Sequence, residues 1–295
     1  MRRSFGAKSA LLTYESSRGR TDPIAIKTTP LSLTSDYVTG LGCPESHLRR
    51  IAEAGFSHVH WCHQWNTDFI YSDPEIEQIQ NWLGEFGLRL LDLHGSAGVE
   101  KKWLSAHEYE RLAGVELVRN RIEMAARLSS DVVIMHAGGK PEWDSLRRSL
   151  DALEPLARNR NVRIAIENGD FDLIRQALAA YRPDYLGLCY DAGHGNIGAA
   201  NGLAHLESLK DRLISVHLHD NDGTADQHRV PFTGTVNWQR LAGIIATSSY
   251  RKCVSLESMM LNAGNLEEGT FLASAHEAAA RFAEMIGAHG KENSL

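Results

Sequence analysis

The chain reads as an α/β protein of the (β/α)8 class, one closed barrel in a single domain. Three observations lead there. Eight short apolar runs alternate with amphipathic stretches, the strand-then-helix order that calls for parallel strands and right-handed crossovers. The 295 residues contain no linker-like break, and barrels of this class commonly run to about 250 residues or more. Six of the runs end at or near a metal-ligating residue type, namely His94, His136, Glu167, Asp191, His217 and Glu257. The C-terminal strand ends are where such a barrel carries its active site, so this placement also argues against an open doubly wound sheet.

The elements follow in order. Residues 1–22 are expected to be a flexible leader, 23–288 the barrel and 289–295 a frayed tail. A first short strand is predicted over 23–27, then a helix over 45–54 ended by Gly55. Strand two falls in 56–64, with His58, His60 and Cys62 on one face. Asp73-Pro74 opens a helix over 76–86 that stops at Gly87. Strand three covers 88–95. It leads into a helix over about 107–128, with Leu112, Val115, Val118, Ile122 and Ala125 at helical spacing. Strand four (131–138) precedes a helix over 144–157. Strand five (162–169) precedes a helix over 171–181, closed by Arg182-Pro183. Strand six (186–194), a helix (203–209), strand seven from 214, a helix (238–246), strand eight (252–258) and a last helix (266–286) complete the pattern.

Strand seven carries the densest chemistry. His217 and His219 share the face opposite Val216 and Leu218, and Asp226 and His228 follow within a few residues. Imidazoles on an apolar strand need partners. Backbone groups could satisfy a lone pair, but the added Asp-x-His points to a metal, since imidazole with carboxylate suits zinc, manganese or iron. The same alternation puts Ala165 with Glu167, Cys189 with Asp191, and Ser255 with Glu257.

Composition narrows the partners. The formal charge of −6 and the lack of a Lys/Arg run interleaved with aromatics speak against nucleic acid. No apolar run is long enough to span a membrane, and no secretory signal follows the Arg-Arg start. Cys43, Cys62, Cys189 and Cys253 form no CxxC pair, which suits reduced thiols in the cytoplasm. No Walker or GxGxxG pattern implies a nucleotide cofactor. The expected partner is a small sugar or polyol, and a homo-oligomer is compatible with the sequence.

The segments Ile-Glu167-Asn, Tyr-Asp191-Ala-Gly-His194, Val-His217-Leu-His-Asp, Asp226-Gln-His228 and Ser-Leu-Glu257-Ser resemble the xylose isomerase-like TIM-barrel superfamily, over about residues 23–286. That superfamily includes sugar isomerases and epimerases, inosose dehydratases and endonuclease IV-type repair enzymes. The resemblance implies a (β/α)8 TIM barrel with a divalent metal (Mn, Zn, Mg or Co) on Glu167, Asp191, His217 and Glu257, with His219 a rival for the strand-seven position. In the endonuclease IV branch, His194, Asp226 and His228 resemble ligands of one additional zinc, and His94 and His136 those of another, so more than one ion is permitted. The implied activity is sugar isomerisation or epimerisation through a metal-stabilised enediolate, with Glu167 and Glu257 as acid and base. An inosose dehydratase-like lyase and an abasic-site endonuclease are the alternatives.

Two departures bear on substrate contacts. The chain has Phe232-Thr-Gly234-Thr where the family usually has a Gly-x-Gly turn, and it offers His60, with His63 nearby, where many members carry Glu at the end of strand two. His60 is therefore expected at the substrate, as is Arg229, which could hold a phosphate or carboxylate or sit in a solvated ion pair. Lys140 is similarly ambiguous, and Trp61, Trp65 and Trp103 could stack on a sugar or pack in the core.

Overall fold

The computed structural model describes residues 29–65, 69–96, 101–137, 143–198, 201–262 and 266–292. Eight strands alternate with eight helices. They are β1 (Leu31–Thr34), α1 (Glu45–Glu53), β2 (His58–Trp61), α2 (Asp73–Phe86), β3 (Arg89–Ser96), α3 (Glu108–Arg127), β4 (Val132–His136) and α4 (Trp143–Arg160). There follow β5 (Arg163–Glu167), α5 (Phe171–Ala180), β6 (Leu186–Asp191), α6 (Gly202–Leu209), β7 (Leu213–His217), α7 (Trp238–Ala246), β8 (Val254–Leu256) and α8 (Glu268–Glu292). All paired strands are parallel, in the order β7-β6-β5-β4-β3-β2-β1-β8. A parallel bridge between Leu218 and Leu256 joins the two ends. Leu218 donates its N–H to the Ser255 carbonyl at 3.0 Å, and Glu257 donates to Leu218 at 3.1 Å. The sheet therefore closes on itself, which removes its free edges.

Local sequence explains several ends. Ser72 and Glu75 form a capping box at the start of α2, Pro74 sits in its first turn, and Gly87 ends it in the left-handed conformation. Asp170 caps α5 by accepting from the N–H groups of Asp172 and Leu173. Asn237 caps α7 by accepting from the N–H of Arg240.

Three expectations are corrected or displaced. The strand expected over 23–27 lies outside the described residues, and the first place in the barrel is held by Leu31–Thr34. That run was missed because two of its four residues are hydroxylic and no apolar stretch marks it. Leu112 is half exposed, at 50 %, although Val115, Val118, Ile122 and Ala125 are buried. Its place at the start of α3 is taken by the buried Arg111, which pairs with Glu108 and donates to Ser149 Oγ at 3.1 Å. The last helix begins and ends later than predicted, reaching Glu292.

Alternation along the strands separates two interiors. Ile164, Ile166, Leu188, Tyr190, Val216, Leu218 and Leu256 face outward and join the main core against the helices. Val132, Ile134, Ala165, Cys189 and Ile214 form a small apolar cluster inside the barrel. Beyond it, toward the C-terminal strand ends, the inner face turns polar with Glu167, Asp191 and His217, all buried. No two of the four cysteines are paired. Among the described residues no helix is long and apolar enough to cross a membrane.

Replacing Ile166 by Ala would leave a hole between β5 and its helices at a fully buried position. The expected cost is about 2–5 kcal/mol, read as a lower urea midpoint with an unchanged slope. A change under about 1 kcal/mol would show that this part of the core collapses freely.

Candidate active site

Register brings the ligand types together. In the parallel ladders His136 stands beside Glu167, and Asp191 beside His217. Glu257 directly follows β8 and is tied to the end of β7 through Leu218. Four groups result, three of them sharing residues, each with its candidate ligand atoms within 4.8 Å of one another: Glu167, Asp191, His217 and Glu257; His94, His136 and Glu167; His60, His94, His217 and Glu257; and, separately, His194, His219, Asp226 and His228.

Glu167 is the hub. Its Oε1 lies 3.1 Å from His217 Nδ1 and 3.4 Å from His194 Nδ1, and its Oε2 lies 2.7 Å from His136 Nε2. Across the mouth, Glu257 Oε2 is 3.3 Å from His217 Nδ1. His94 Nε2 sits between the two glutamates, 3.5 Å from an oxygen of each. Asp191 accepts the backbone N–H of His194 at 2.7 Å and lies 3.0 Å from His219 Nε2. The rivalry on strand seven resolves into two roles: His217 belongs to the glutamate group and His219 to the outer group with Asp191 and Asp226.

The outer group is built by the loop after β7. His228 Nδ1–H donates to the Glu257 carbonyl at 2.7 Å, and its ring stacks on His219 at 4.0 Å between centroids. His228 holds a left-handed φ of 45°, unusual outside glycine. Asp226 Oδ2 lies 3.2 Å from both His194 Nε2 and His228 Nε2. Gly193 permits the close approach of His219, since a Cβ there would overlap the imidazole. Buried Asp220 anchors the return of the loop by accepting from Val236 N–H at 3.1 Å and from Trp238 Nε1–H at 2.8 Å.

Burial and neighbouring charge pull the groups apart. Burial, opposed by His217 and reinforced by Glu167, leaves the Glu257 carboxyl above its usual range. Burial acts the same way on Glu167, but His217 and His136 outweigh it and hold that carboxyl well below. Asp191 and Asp226 are also lowered, against burial, by their imidazole neighbours. Burial and the adjacent His136 push His94 well down. Asp191, above all, pushes His194 up to about 12. Burial opposes a rise at His228, yet Asp226 and Glu257 lift it to about 10.

The other candidates take different places. His60 is fully buried beneath the glutamate group rather than at the open mouth. Arg229 is turned to Asp222 at 3.4 Å, both partly exposed, in keeping with the ion-pair reading. His63 donates Nε2–H to the Gly42 carbonyl, and His58 is 2.9 Å from Ser57 Oγ. Trp61 donates to Tyr71 Oη, Trp65 packs at 5.0 Å on Trp82, and Trp103 donates to the His136 carbonyl. Lys140 lies outside the described residues. Sequence reasoning missed Asn168, which brackets the Asp191 peptide by accepting its N–H at 2.5 Å and donating to its carbonyl at 3.1 Å. It also missed Asp92, an acid buried within strand three. The signal for Asp92 was present in the sequence, since an acid two residues before His94 on a strand must share its inner face.

A parallel eight-stranded barrel with carboxylates and imidazoles gathered at its C-terminal mouth defines the class. The chain belongs to the xylose isomerase-like TIM barrel family, whose pattern matches residues 48–280. It is 32 % identical over 275 residues to the uncharacterized protein y4fM of Sinorhizobium fredii, a match covering 81 % of this chain and 88 % of that one. Among solved structures it resembles a D-tagatose 3-epimerase-like protein, with a TM-score of 0.73 and 21 % identity over 90 % of this chain and all (100 %) of that one. It also resembles the D-psicose 3-epimerase of Clostridium cellulolyticum H10, with a TM-score of 0.70 and 13 % identity over 88 % and 99 % of the two chains. At these identities the structural likenesses establish the fold.

His194 and His228 are raised from 6.5, so the stability they contribute is complete below that value and fades as pH climbs through about 10 to 12. Both therefore hold a proton at neutral pH in the cation-free chain. A cation takes only the neutral imidazole. Adding zinc to chelator-stripped protein in dilute buffer at pH 7 is expected to release protons, and zinc affinity should fall as pH is lowered. Uptake without proton release in a pH-stat would contradict the protonated imidazoles.

Proposed function

We propose that this protein is a divalent-metal-dependent epimerase or isomerase acting on a small sugar or keto-polyol. The observation that carries the reading is the convergence of Glu167 and Glu257, from β5 and β8, on one point with Asp191 and His217. The donor set fits a divalent cation. Three buried carboxylates crowd one another, and His217 Nε2 is buried without a hydrogen bond. Such crowding is costly unless a positive charge offsets it. A mixed oxygen and imidazole set suits manganese, zinc, cobalt or magnesium. Glu167, Asp191, His217 and Glu257 would hold the cation, which when bound supplies a Lewis acid that acidifies the carbon beside the substrate's carbonyl oxygen.

The chain's own residues do the rest. Glu167 and Glu257 approach from opposite walls, so one can take a proton from the carbon and the other can return one to the opposite face. Proton delivery to the face opposite removal inverts the centre; transfer between neighbouring carbons would instead isomerise. Asn168 holds the Asp191 backbone, and the Asp220-anchored loop holds His228 against the Glu257 carbonyl. His194 and His228, both partly exposed, form a polar rim suited to sugar hydroxyls, with buried His219 stacked behind His228. The likeness in fold to 3-epimerases and the family membership support this chemistry without specifying the sugar.

A second reading has one observation in its favour. His94, His136 and Glu167, and likewise His194, His219, Asp226 and His228, also gather as candidate cation groups beside the first. That clustering suits hydrolysis of a phosphodiester by several zinc ions, as in endonuclease IV. The two readings separate in one experiment. Manganese-loaded protein is incubated with keto-sugars and polyols in deuterated water, in parallel with a duplex containing an abasic site. Deuterium entry at carbon, lost by about 100-fold or more in Glu257→Gln, is the expected result. Nicking of the duplex without deuterium entry would sink the proposal.

A further inference from the structure

Beneath the glutamate group lies a second arrangement that the family resemblance does not supply. His60, in β2, is fully buried, and its Nδ1 lies 2.8 Å from Asp92 Oδ1. Asp92 is itself fully buried, and its other oxygen accepts the Ser215 hydroxyl. Both Asp92 oxygens are engaged, Oδ1 by His60 and Oδ2 by Ser215. With Nδ1 turned to Asp92, His60 Nε2 points the other way.

There Nε2 meets a carboxylate oxygen. His60 Nε2 makes no hydrogen bond and faces Glu257 Oε1 at 3.8 Å. The gap is too long for a hydrogen bond, which spans about 2.7–3.2 Å. His94 Nε2 approaches the same oxygen at 3.5 Å, and the His217 ring lies 4.4 Å from that of His60. Candidate ligand atoms of all four side chains fall within 4.8 Å of one another. A buried ring nitrogen without a hydrogen bond carries a penalty unless a cation or a proton fills the gap before the carboxylate. Ligand atoms around a tetrahedral zinc stand about 3.3–3.6 Å apart, given bonds of about 2.0–2.2 Å. An imidazole whose second nitrogen donates to a carboxylate is the usual arrangement of a metal-bound histidine.

We propose that the barrel floor holds a second, deeper cation site, with His60 Nε2, His94 Nε2 and Glu257 Oε1 as ligands and His217 at its side, for a zinc-like divalent ion. Asp92 and Ser215 orient His60 from behind. Glu257 then bridges: Oε1 serves the floor and Oε2 faces His217 and the outer centre. The floor ion has a structural consequence, since it fixes Glu257 from below and leaves Asp191 and Glu167 to the outer ion. The site rests on the reading above only through the shared Glu257 and His217.

Two measurements test it separately from that reading. Crystals of zinc-loaded, full-length wild-type protein should show, in anomalous maps at the zinc edge, one peak among His60, His94 and Glu257 and another beside Asp191. A peak beside Asp191 with none at His60 would overturn the floor site; a peak at His60 with none beside Asp191 would overturn the outer centre and leave the floor site standing. In equilibrium dialysis of the same protein with zinc, His60→Gln should lose one ion per chain and keep the ion that Asp191→Asn loses. Asp92→Asn should keep the stoichiometry but bind the floor ion about 10–100-fold more weakly. Full zinc stoichiometry and affinity in folded His60→Gln would show that the gap holds a proton and would refute the site. Because the crystallographic arm uses the wild type, the outcome does not depend on the variants folding.

Discussion

The structure depends on balancing charge where water is excluded. Glu167, Asp191, Glu257 and Asp92 are all buried inside the barrel or at its inner mouth, beside buried His60, His94, His217 and His219. Each carboxylate removed from water carries a penalty of several kcal/mol that only close opposite charge or good hydrogen bonds can offset. The protein supplies imidazoles at 2.7–3.5 Å around Glu167, and the His194 backbone N–H and the His219 ring around the Asp191 carboxylate. Several ring nitrogens remain without hydrogen bonds. A site left short of partners inside a well-packed protein is poised to take an ion.

Closure of the sheet makes that balance achievable. The ligand types are spread from His60 to Glu257, and only a ring of strands brings both ends of that span to one axis. The outward faces of the same strands do ordinary work. Ile166, Leu188 and Leu218 are fully buried against the helices and give the barrel a rigid wall. Rigid walls hold a constellation of side chains more tightly than loops do, which suits chemistry in which two acids must address one carbon from opposite sides.

The loop after β7 shows where stability has been set aside for the site. His228 and Phe232 both adopt left-handed backbone, with φ of 45° and 71°. Non-glycine residues held this way carry strain of about 1–3 kcal/mol each and persist where the surroundings insist on them. Asp220, buried and triply bonded, provides that insistence, and the Asp220–Arg229 bridge sets the loop's width. Arg229 thus contributes to the site through its backbone, while its side chain is spent on Asp222.

Much of this was readable in the chain itself. The strand-helix rhythm, the acid or imidazole at six of the strand ends and the alternation around Glu167, Asp191 and Glu257 depend on local periodicity, which is a property of sequence. Leu31–Thr34 escaped because a strand with hydroxyl groups on its inner face lacks an apolar signature, and Leu112 misled because nothing local says that Arg111 will be the residue turned inward. The division of labour between His217 and His219, the clamp of Asn168 on Asp191 and the meeting of Asp92 with His60 belong to the folded state alone. Those contacts join residues on different strands, and their distances are set by register and barrel closure, which no local pattern encodes.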